Sequence, residues 1–584
     1  MAEFIAALKK KDGTLTPPKA WKESGLVSVD GFTVFGRNSL PGEGRWSCVL
    51  NGEVTPEPSR PLPEGFNGFR DEALILKLLN TVGPEETPLY LNGCFSYCAY
   101  DRSQKRVWAA RDRLGAKQFY YTADEEALWM SSSFLPLFEK QGKKVDPAAL
   151  QHFFTFQYVP EPMTIGVGVK ALTLGCVADG QDDLTARRFR IWKPEPDNGK
   201  DHEMFKAEIR QAMTEATHDS LAGAKTVAAF LSGGLDSSIL AALAAKEYPD
   251  MTAYTIAYDV PGFSEAEAAD HSCQKYGIRH EIVKIDSQGF REAFPEVMKA
   301  TGVPVGDPSA TAVYMIARAA AGKTDVIISG EGSDELWGGY HTYRPSSIVK
   351  KISSLPGWLK KGLWGVGKLL PEGVKGRGAL ERGCTPLKDR YVGNTFVCTE
   401  KDKKKLLKNY DPSVKFTDIT APYFEEAAGL NDMDQMQYID VMIWLPGDID
   451  VVAGKLCSVH GLKVVTPFMD NRVTDLARKL SYDDKLSAVQ NKVILREVFR
   501  DDLTDEVVNG IKKGYPVPVR YWIRNELYDW AADLIRRAPV DDWINKDTAL
   551  AWLKECRGKE NDTYFYRKVW AVVSFCQWAE SNLG

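Results

Sequence analysis

Apolar and polar positions follow two regimes along the chain. Up to about residue 192, short apolar segments alternate with a two-residue period and are broken by Gly, Pro and Asn. Examples are FTVFG (32–36), RWSCVLNGEV (45–54), PLYLNGCFSYCAYD (88–101), RVWAARDRLGAKQFYYTAD (106–124) and ALWMSSSF (127–134). This pattern predicts packed antiparallel sheets, with helices such as the one in DEALILKLLNTV (71–82) laid against them. The polar, Pro- and Gly-bearing stretch KPEPDNGKDHE, Lys193 to Glu203, predicts a linker. Beyond it, strand-like runs alternate with helical ones: MTAYTIAYDV (251–260), SEAEAADHSCQKYG (264–277), HEIVKID (280–286) and TDVIISGEG (324–332). That alternation predicts a mostly parallel sheet whose ligands sit beyond the carboxyl ends of its strands. The expected architecture is α/β: an antiparallel β-sandwich with flanking helices over 1–192, a linker over 193–203, and a doubly wound parallel sheet with extra helices over 204–584. Residues 341–430 read as helical and locally basic, and interruptions by Pro and Gly favour a solvated or packed surface over a membrane-binding helix.

Composition narrows the function classes. A chain of 584 residues exceeds what one hydrophobic core supports, so at least two domains are expected. A formal net charge of −5 provides no basic field for long nucleic-acid contacts. In MAEFIAALKKKDG the basic cluster follows a very short apolar run, the reverse of a secretory signal, and no apolar run approaches about 18 residues. A soluble, cytoplasmic protein without nucleic-acid or membrane partners is expected. Ten scattered cysteines without a C-x-x-C pair and seven dispersed histidines signal neither a disulfide framework nor a zinc site.

The candidate chemistry begins at TVAAFLSGGLDSSILAALAA, Thr226 to Ala245. It reads as a buried strand, a Gly/Ser turn and a helix, but lacks the lysine that closes a Walker-type loop. A helix N-terminus preceded by Ser232, Gly233 and Gly234, with Ser237 and Ser238 following, offers an anion cradle. Asp236 would repel phosphates unless Mg²⁺ stood between them, so its presence implies a metal. Without a lysine for the terminal phosphate, the loop suits pyrophosphate as a leaving group. A second strand and turn, VIISGEGSDELWGGY (326–340), brings Glu331, Asp334 and Glu335. Asp236 and Asp334 could share Mg²⁺ in one cleft, leaving Glu331 for proton transfer. NKVILREVF places Lys492 and Arg496 at i, i+4, and NGIKKGYPVPVRYW offers Lys512 and Lys513, cations suited to a departing pyrophosphate.

LSGGLDSS, SGEGSDELWGGY, TPFMDNRV and IKKGYPVPVRYW, in this order, resemble the synthetase domain of the asparagine synthetase family, whose nucleotide loop is called a PP-loop. The resemblance covers nearly the whole chain. It implies an adenine nucleotide α-hydrolase-like fold and an AMP-forming carbon–nitrogen ligase, which uses ATP and Mg²⁺ to activate a small-molecule or peptide carboxylate as an acyl-AMP. Ammonia or another amine then attacks. By the same resemblance, Leu231, Ile256, Ser329 and Gly330 contact the nucleoside, and Ser232, Asp236, Ser237 and Asp334 hold Mg²⁺-pyrophosphate. Lys512 stabilises the adenylation transition state, and Glu331 takes a proton from the amine. A homodimer is compatible with the family.

VLNGEV (49–54) and ARDRLGAKQFYY (110–121) resemble the class II glutaminase domain, an Ntn-hydrolase-like fold. Working members carry Cys after the initiator Met. Here that residue is Ala2, natural or engineered, so the domain is expected to be silent towards glutamine. The Arg-His-Arg-Gly-Pro segment is absent and Arg70 stands where an acid is usual. In AGKLCSVHGLKVVTPF (453–468), Gly454, Lys463 and Val465 replace an acid, an acid and a base of the family pattern, which predicts a pocket for a neutral or bulkier acid than aspartate. The β-lactam synthetases and lasso-peptide cyclases are relatives without the nucleophilic Cys, so intramolecular amide formation stands as an alternative. A catalytically inactive scaffold is a further one. Sulfur transfer to tRNA would call for a Cys near the loop and a basic surface, and neither is present.

Overall fold

The computed structural model describes residues 4–10, 15–18, 21, 25–37, 39–66, 68–344, 346–370, 376–510, 517–559 and 562–584. Ala2, Lys512 and Lys513 lie outside them.

The alternating segments of the first half pair into two six-stranded antiparallel sheets. In one sheet, Ile5–Lys9 runs between Phe32–Phe35 and Ala127–Ser131; in the other, Phe95–Asp101 runs between Trp46–Gly52 and Arg106–Arg111. The period of two sends Phe4, Val34 and Met130 from one sheet, and Val49, Cys98 and Ala109 from the other, into a shared apolar layer. Helix Asp71–Thr81 closes the outer face of the second sheet with Leu74, Ile75, Leu78 and Leu79.

The second half is built on five parallel strands: β1 (Val227–Phe230), β2 (Thr252–Tyr258), β3 (Arg279–Ile285), β4 (Val326–Ile328) and β5 (Lys463–Val465). Their spatial order is 3-2-1-4-5. β1 and β4 are short and wholly buried, as strands covered on both faces must be, so their sequences are continuously apolar. Order reverses at β1, where the chain winds one way through β2 and β3 and the other way through β4 and β5. A crevice therefore opens beyond the carboxyl ends of β1 and β4. The turns leaving these two strands are the two carboxylate-bearing motifs of the sequence.

The stretch 193–203 runs along the second half: Glu195 N–H donates to Arg478 O at 2.7 Å and Asp197 N–H to Lys479 O at 3.0 Å. The halves also share a core. Phe134, Phe138, Phe153 and Phe154 of the first pack in one apolar cluster with Trp570, Phe575 and Trp578 of the C-terminal helix. Among the described residues no helix is long and apolar enough to cross a membrane. In the basic helical region, Trp358 and Leu369 stand 76 % and 83 % exposed, so this surface is solvated and carries isolated apolar side chains.

Candidate active site

The cleft at the switch point has a volume of about 870 Å³. Its floor is the turn from β1 into helix α1 (Leu235–Ala245), with Gly234 as N-cap. Gly233 takes φ +71°, and a Cβ there would come within 3.1 Å of the Ala269 amide nitrogen, so the turn needs glycine. Ser232 and Ser237 brace it, their hydroxyls 3.2 Å apart, with Ser237 Oγ also 3.2 Å from Ser232 N. The N-terminal end of α1, with its main-chain amides and the positive end of the helix dipole, suits anionic oxygens.

The second turn runs from β4 into the short helix α2 (Ser333–Trp337). It approaches so closely that a Cβ on Gly330 would lie 3.1 Å from Asp236 Cβ. Both carboxylates then meet one cation: Lys492 Nζ is 2.6 Å from Asp236 Oδ1 and 2.7 Å from Asp334 Oδ1. Ser333 completes the cluster, 3.0 Å from Lys492 Nζ and donating to Asp236 Oδ1 at 2.8 Å. Lys492 is 3 % exposed and takes φ +53° as the residue capping helix α3 (Val493–Val498). A buried ammonium needs such partners.

Gly339 is the position that sequence reasoning missed. A Cβ there would fall 1.8 Å from Asp334 Oδ1 and 2.5 Å from Lys492 Cε. The double glycine in LWGGY was its only signal. Gly339→Ala is expected to displace the carboxylate–ammonium cluster and lower stability by about 1–3 kcal/mol, the usual cost of overpacking, as read from denaturant unfolding.

Glu331 lies on the same turn and accepts from Ser329 Oγ at 2.6 Å. Burial pushes its carboxyl up from the ordinary glutamate range. Asp334 and Asp236 add to the rise, and the Ser329 hydroxyl works against it. A proton acceptor is thereby set a turn away from the anion cradle.

The structure divides the other sequence-derived residues. Ser232, Gly233, Gly234, Asp236, Ser237, Ser329, Gly330, Glu331, Asp334 and Lys492 line the cleft; Leu231, Ser238 and Ile256 do not. Leu231 is 1 % exposed, its N–H given to Tyr254 O and its carbonyl accepting from Thr255 Oγ1. Ser238 and Ile256 are buried behind the turn because α1 and β2 turn those faces into the core. Lys492 and Arg496 do not share a helical face, since Lys492 precedes α3. The Arg496 guanidinium reaches the cleft but donates to the carbonyls of Asn491, Val507 and Val508.

The turn is held from behind by a buried pair. Lys485 Nζ lies 2.8 Å from Asp434 Oδ1 and 2.7 Å from Gln437 Oε1, and Gln437 Nε2 donates to Glu335 O at 2.8 Å. Lys485→Met leaves Asp434 without its cation and is expected to cost about 3–5 kcal/mol in urea unfolding.

Comparison with known proteins accounts for this arrangement. The family model for asparagine synthase matches residues 208–580, and that for a glutamine amidotransferase domain matches 43–190. The chain is 33 % identical over 524 residues to "Asparagine synthetase [glutamine-hydrolyzing] 1" of Bacillus subtilis (strain 168), covering 89 % of this chain and 82 % of the relative. The chain belongs to the asparagine synthase family. Identity falls to 23 % over 449 residues (73 % of this chain, 67 % of the relative) for "Asparagine synthetase [glutamine-hydrolyzing] 3" of the same organism. It is 24 % over 549 residues for "Amidase chry2" of Gibberella zeae, with 83 % of this chain and 79 % of that one covered.

For an asparagine synthase family member, the departures at 454, 463 and 465 fall in an unexpected place. None lines the cleft. Lys463 Nζ pairs with Glu53 Oε2 of the amidotransferase half at 2.6 Å, Val465 is 8 % exposed on β5, and Gly454 faces Lys117, whose Nζ would be 4.0 Å from a Cβ there. Lys463 and Gly454 thus face the amidotransferase half at the junction between the two halves. TPFMDNRV lies at the same junction. Asn92 Nδ2 donates to Asp470 Oδ2 at 2.9 Å, and Arg113 and Arg190 meet Asp475 at 2.9 and 2.7 Å. Gln157 of the first half, in turn, lines the cleft and donates to the buried Asp448 at 3.4 Å.

The residues fit the groups that the family implies. Two carboxylate oxygens and a hydroxyl converge on one cation position, a hard-oxygen donor set that suits Mg²⁺ together with phosphate oxygens. The Gly/Ser turn at the N-terminus of α1 suits the phosphates of ATP.

Proposed function

We propose that this family member, an ATP-dependent ligase of the asparagine synthetase type, adenylates a carboxylate with release of pyrophosphate and passes the acyl group to ammonia or another amine. One observation carries the reading: the turns after β1 and β4 bring Asp236 and Asp334 within 2.7 Å of a single cation beside an anion cradle. Asp236 and Asp334 would hold Mg²⁺, which neutralises the charge of the departing pyrophosphate. Ser232, Gly233, Gly234 and Ser237 orient the phosphates, and Ser329 and Gly330, by family resemblance, contact the nucleoside. Lys492, set between the two acids, would supply positive charge to the same phosphates. Lys512, by family resemblance, stabilises the adenylation transition state.

Glu331 accepts the proton that the amine loses as it attacks, and its raised pKa brings it nearer to neutrality, where a base works best. With Ala2 in place of the nucleophile, the amidotransferase half hydrolyses no glutamine, and the amine comes from solution. The test is isotope exchange between pyrophosphate and ATP across a panel of carboxylic acids, with the nucleotide product identified when ammonium is added. AMP is expected. Formation of ADP and orthophosphate, with no exchange for any acid, overturns the proposal.

A further inference from the structure

The apolar side chains that stand isolated from the core in the basic helical region share one helix face. Helix Gly357–Gly367, with the turn after it in which Leu369 N–H donates to Val366 O, carries Trp358, Val366 and Leu369 at 76 %, 62 % and 83 % exposed. At about 3.6 residues per turn, positions 358, 362, 365, 366 and 369 fall on a single stripe. Gly362 and Gly365 fill the gaps, and a Cβ on either would meet nothing within 4 Å. The outward stripe is therefore apolar side chain and bare backbone. Lys361 and Lys368 flank it on one side, and the helix carries no acid. The opposite side packs on helix Arg377–Cys384: Gly367 is buried, and a Cβ there would lie 3.6 Å from Leu380 Cδ1.

Charge is distributed in the same sense. Residues 346–384 hold eight Lys and Arg against two Glu, in a chain whose net charge is −5. This basic module borders the cleft, because the segments that lead into and out of it, Gly339 to Thr342 and Asn394 with Thr395, line the cleft, and His341 and Thr342 are exposed. We propose that the stripe docks on an anionic lipid bilayer, with Trp358, Val366 and Leu369 entering the boundary between headgroups and acyl chains and the lysines meeting lipid phosphates, so that the cleft works beside a membrane surface. A helix that is apolar on one face and basic on its flank lies in the plane of the interface and does not need to cross it. Trp suits that depth, and clustered lysines are drawn to an anionic leaflet. A convex stripe without a groove offers a protein partner little to grip, whereas a bilayer requires no matching shape. Interruptions by Pro and Gly disfavour a membrane-binding helix when 341–430 is read as one stretch. The structure puts Pro356 at the N-cap and two of the glycines on the outward stripe, where they interrupt nothing. The expectation of no membrane partner is revised accordingly.

The inference goes beyond the adenylation reading and does not depend on it. The test is cosedimentation of the full chain, without nucleotide, with vesicles of phosphatidylcholine and phosphatidylglycerol in equal parts, against vesicles of phosphatidylcholine alone. Wild type is expected to bind the mixed vesicles about tenfold or more tightly than the neutral ones, and to leave them as salt is raised. Trp358→Ser with Leu369→Ser, and Lys361→Glu with Lys368→Glu, should each weaken binding about tenfold or more, with the melting temperature unchanged because all four side chains are exposed. Hydrogen exchange should show the amides of 357–370 protected by the mixed vesicles. A wild type that stays in the supernatant, equal binding to both vesicles, undiminished binding in either pair of substitutions, or protection confined to another segment each overturns the proposal. A lipid-free dimer that W358S/L369S converts to monomer gives the face to a second copy and overturns it as well. ATP–pyrophosphate exchange without vesicle binding removes this inference and leaves the adenylation reading standing; vesicle binding without exchange for any acid does the reverse.

Discussion

Asp334→Asn is expected to lower ATP–pyrophosphate exchange roughly a thousandfold, about 4 kcal/mol of transition-state stabilisation, while leaving the protein folded. Asn keeps the shape of the side chain and one oxygen, so the close approach of Gly339 is preserved. What it removes is the negative charge that, together with Asp236, draws a divalent cation to the cleft. Lys492 retains Asp236 at 2.6 Å, so its ammonium is not stranded. The measurement has two parts. Exchange is followed as Mg²⁺ is raised, and the variant should need far more metal for any residual activity; unfolding should shift by no more than a modest amount. Exchange at the wild-type level would show that Asp334 holds no metal, and with it the shared-cation reading of the two turns would fall.

Glu331→Gln should separate the two half-reactions. Exchange is retained within about tenfold, because the residue stands outside the cradle, while amide formation falls by about 10²–10⁴ for loss of a positioned base. The pH dependence gives the sharper reading. A carboxyl accepts a proton only when ionised, and burial together with Asp334 and Asp236 has raised this one above the ordinary range of about 4.3. In the wild type the amide-forming step therefore rises with pH along a limb displaced upward from that value. Glutamine has no proton to lose there, so the limb should vanish in the variant. Equal losses in exchange and amide formation would assign Glu331 to the nucleotide step. Full-speed amide formation would remove it from the mechanism.

Much of the site was legible because it is built from local signals. A buried strand, a turn of small residues and a helix determine where an anion can sit, and Gly233, Asp236 and Ser237 follow from seven consecutive residues. The same holds for the second turn and Glu331. Lys492 was legible as a cation but not as the partner of both acids, because nothing local shows that a helix 256 residues after Asp236 begins between them. Gly339 and Gln157 carry no chemistry of their own, and become significant only once a neighbouring atom is located.

Periodicity along the chain determined the two architectures, the antiparallel pairing of the first half and the parallel sheet of the second, because side-chain direction repeats within a few residues and burial must follow it. It also supplied the inventory of turns, acids and bases. Tertiary structure alone decided which of these meet. The 3-2-1-4-5 strand order sets the turns after β1 and β4 side by side, and the packing of the halves takes Lys463 to Glu53 and brings Gln157 into the cleft. The physical reason is range: a hydrogen bond or ion pair is governed by distances of a few ångströms between groups hundreds of residues apart, and those distances exist only when the whole core has closed.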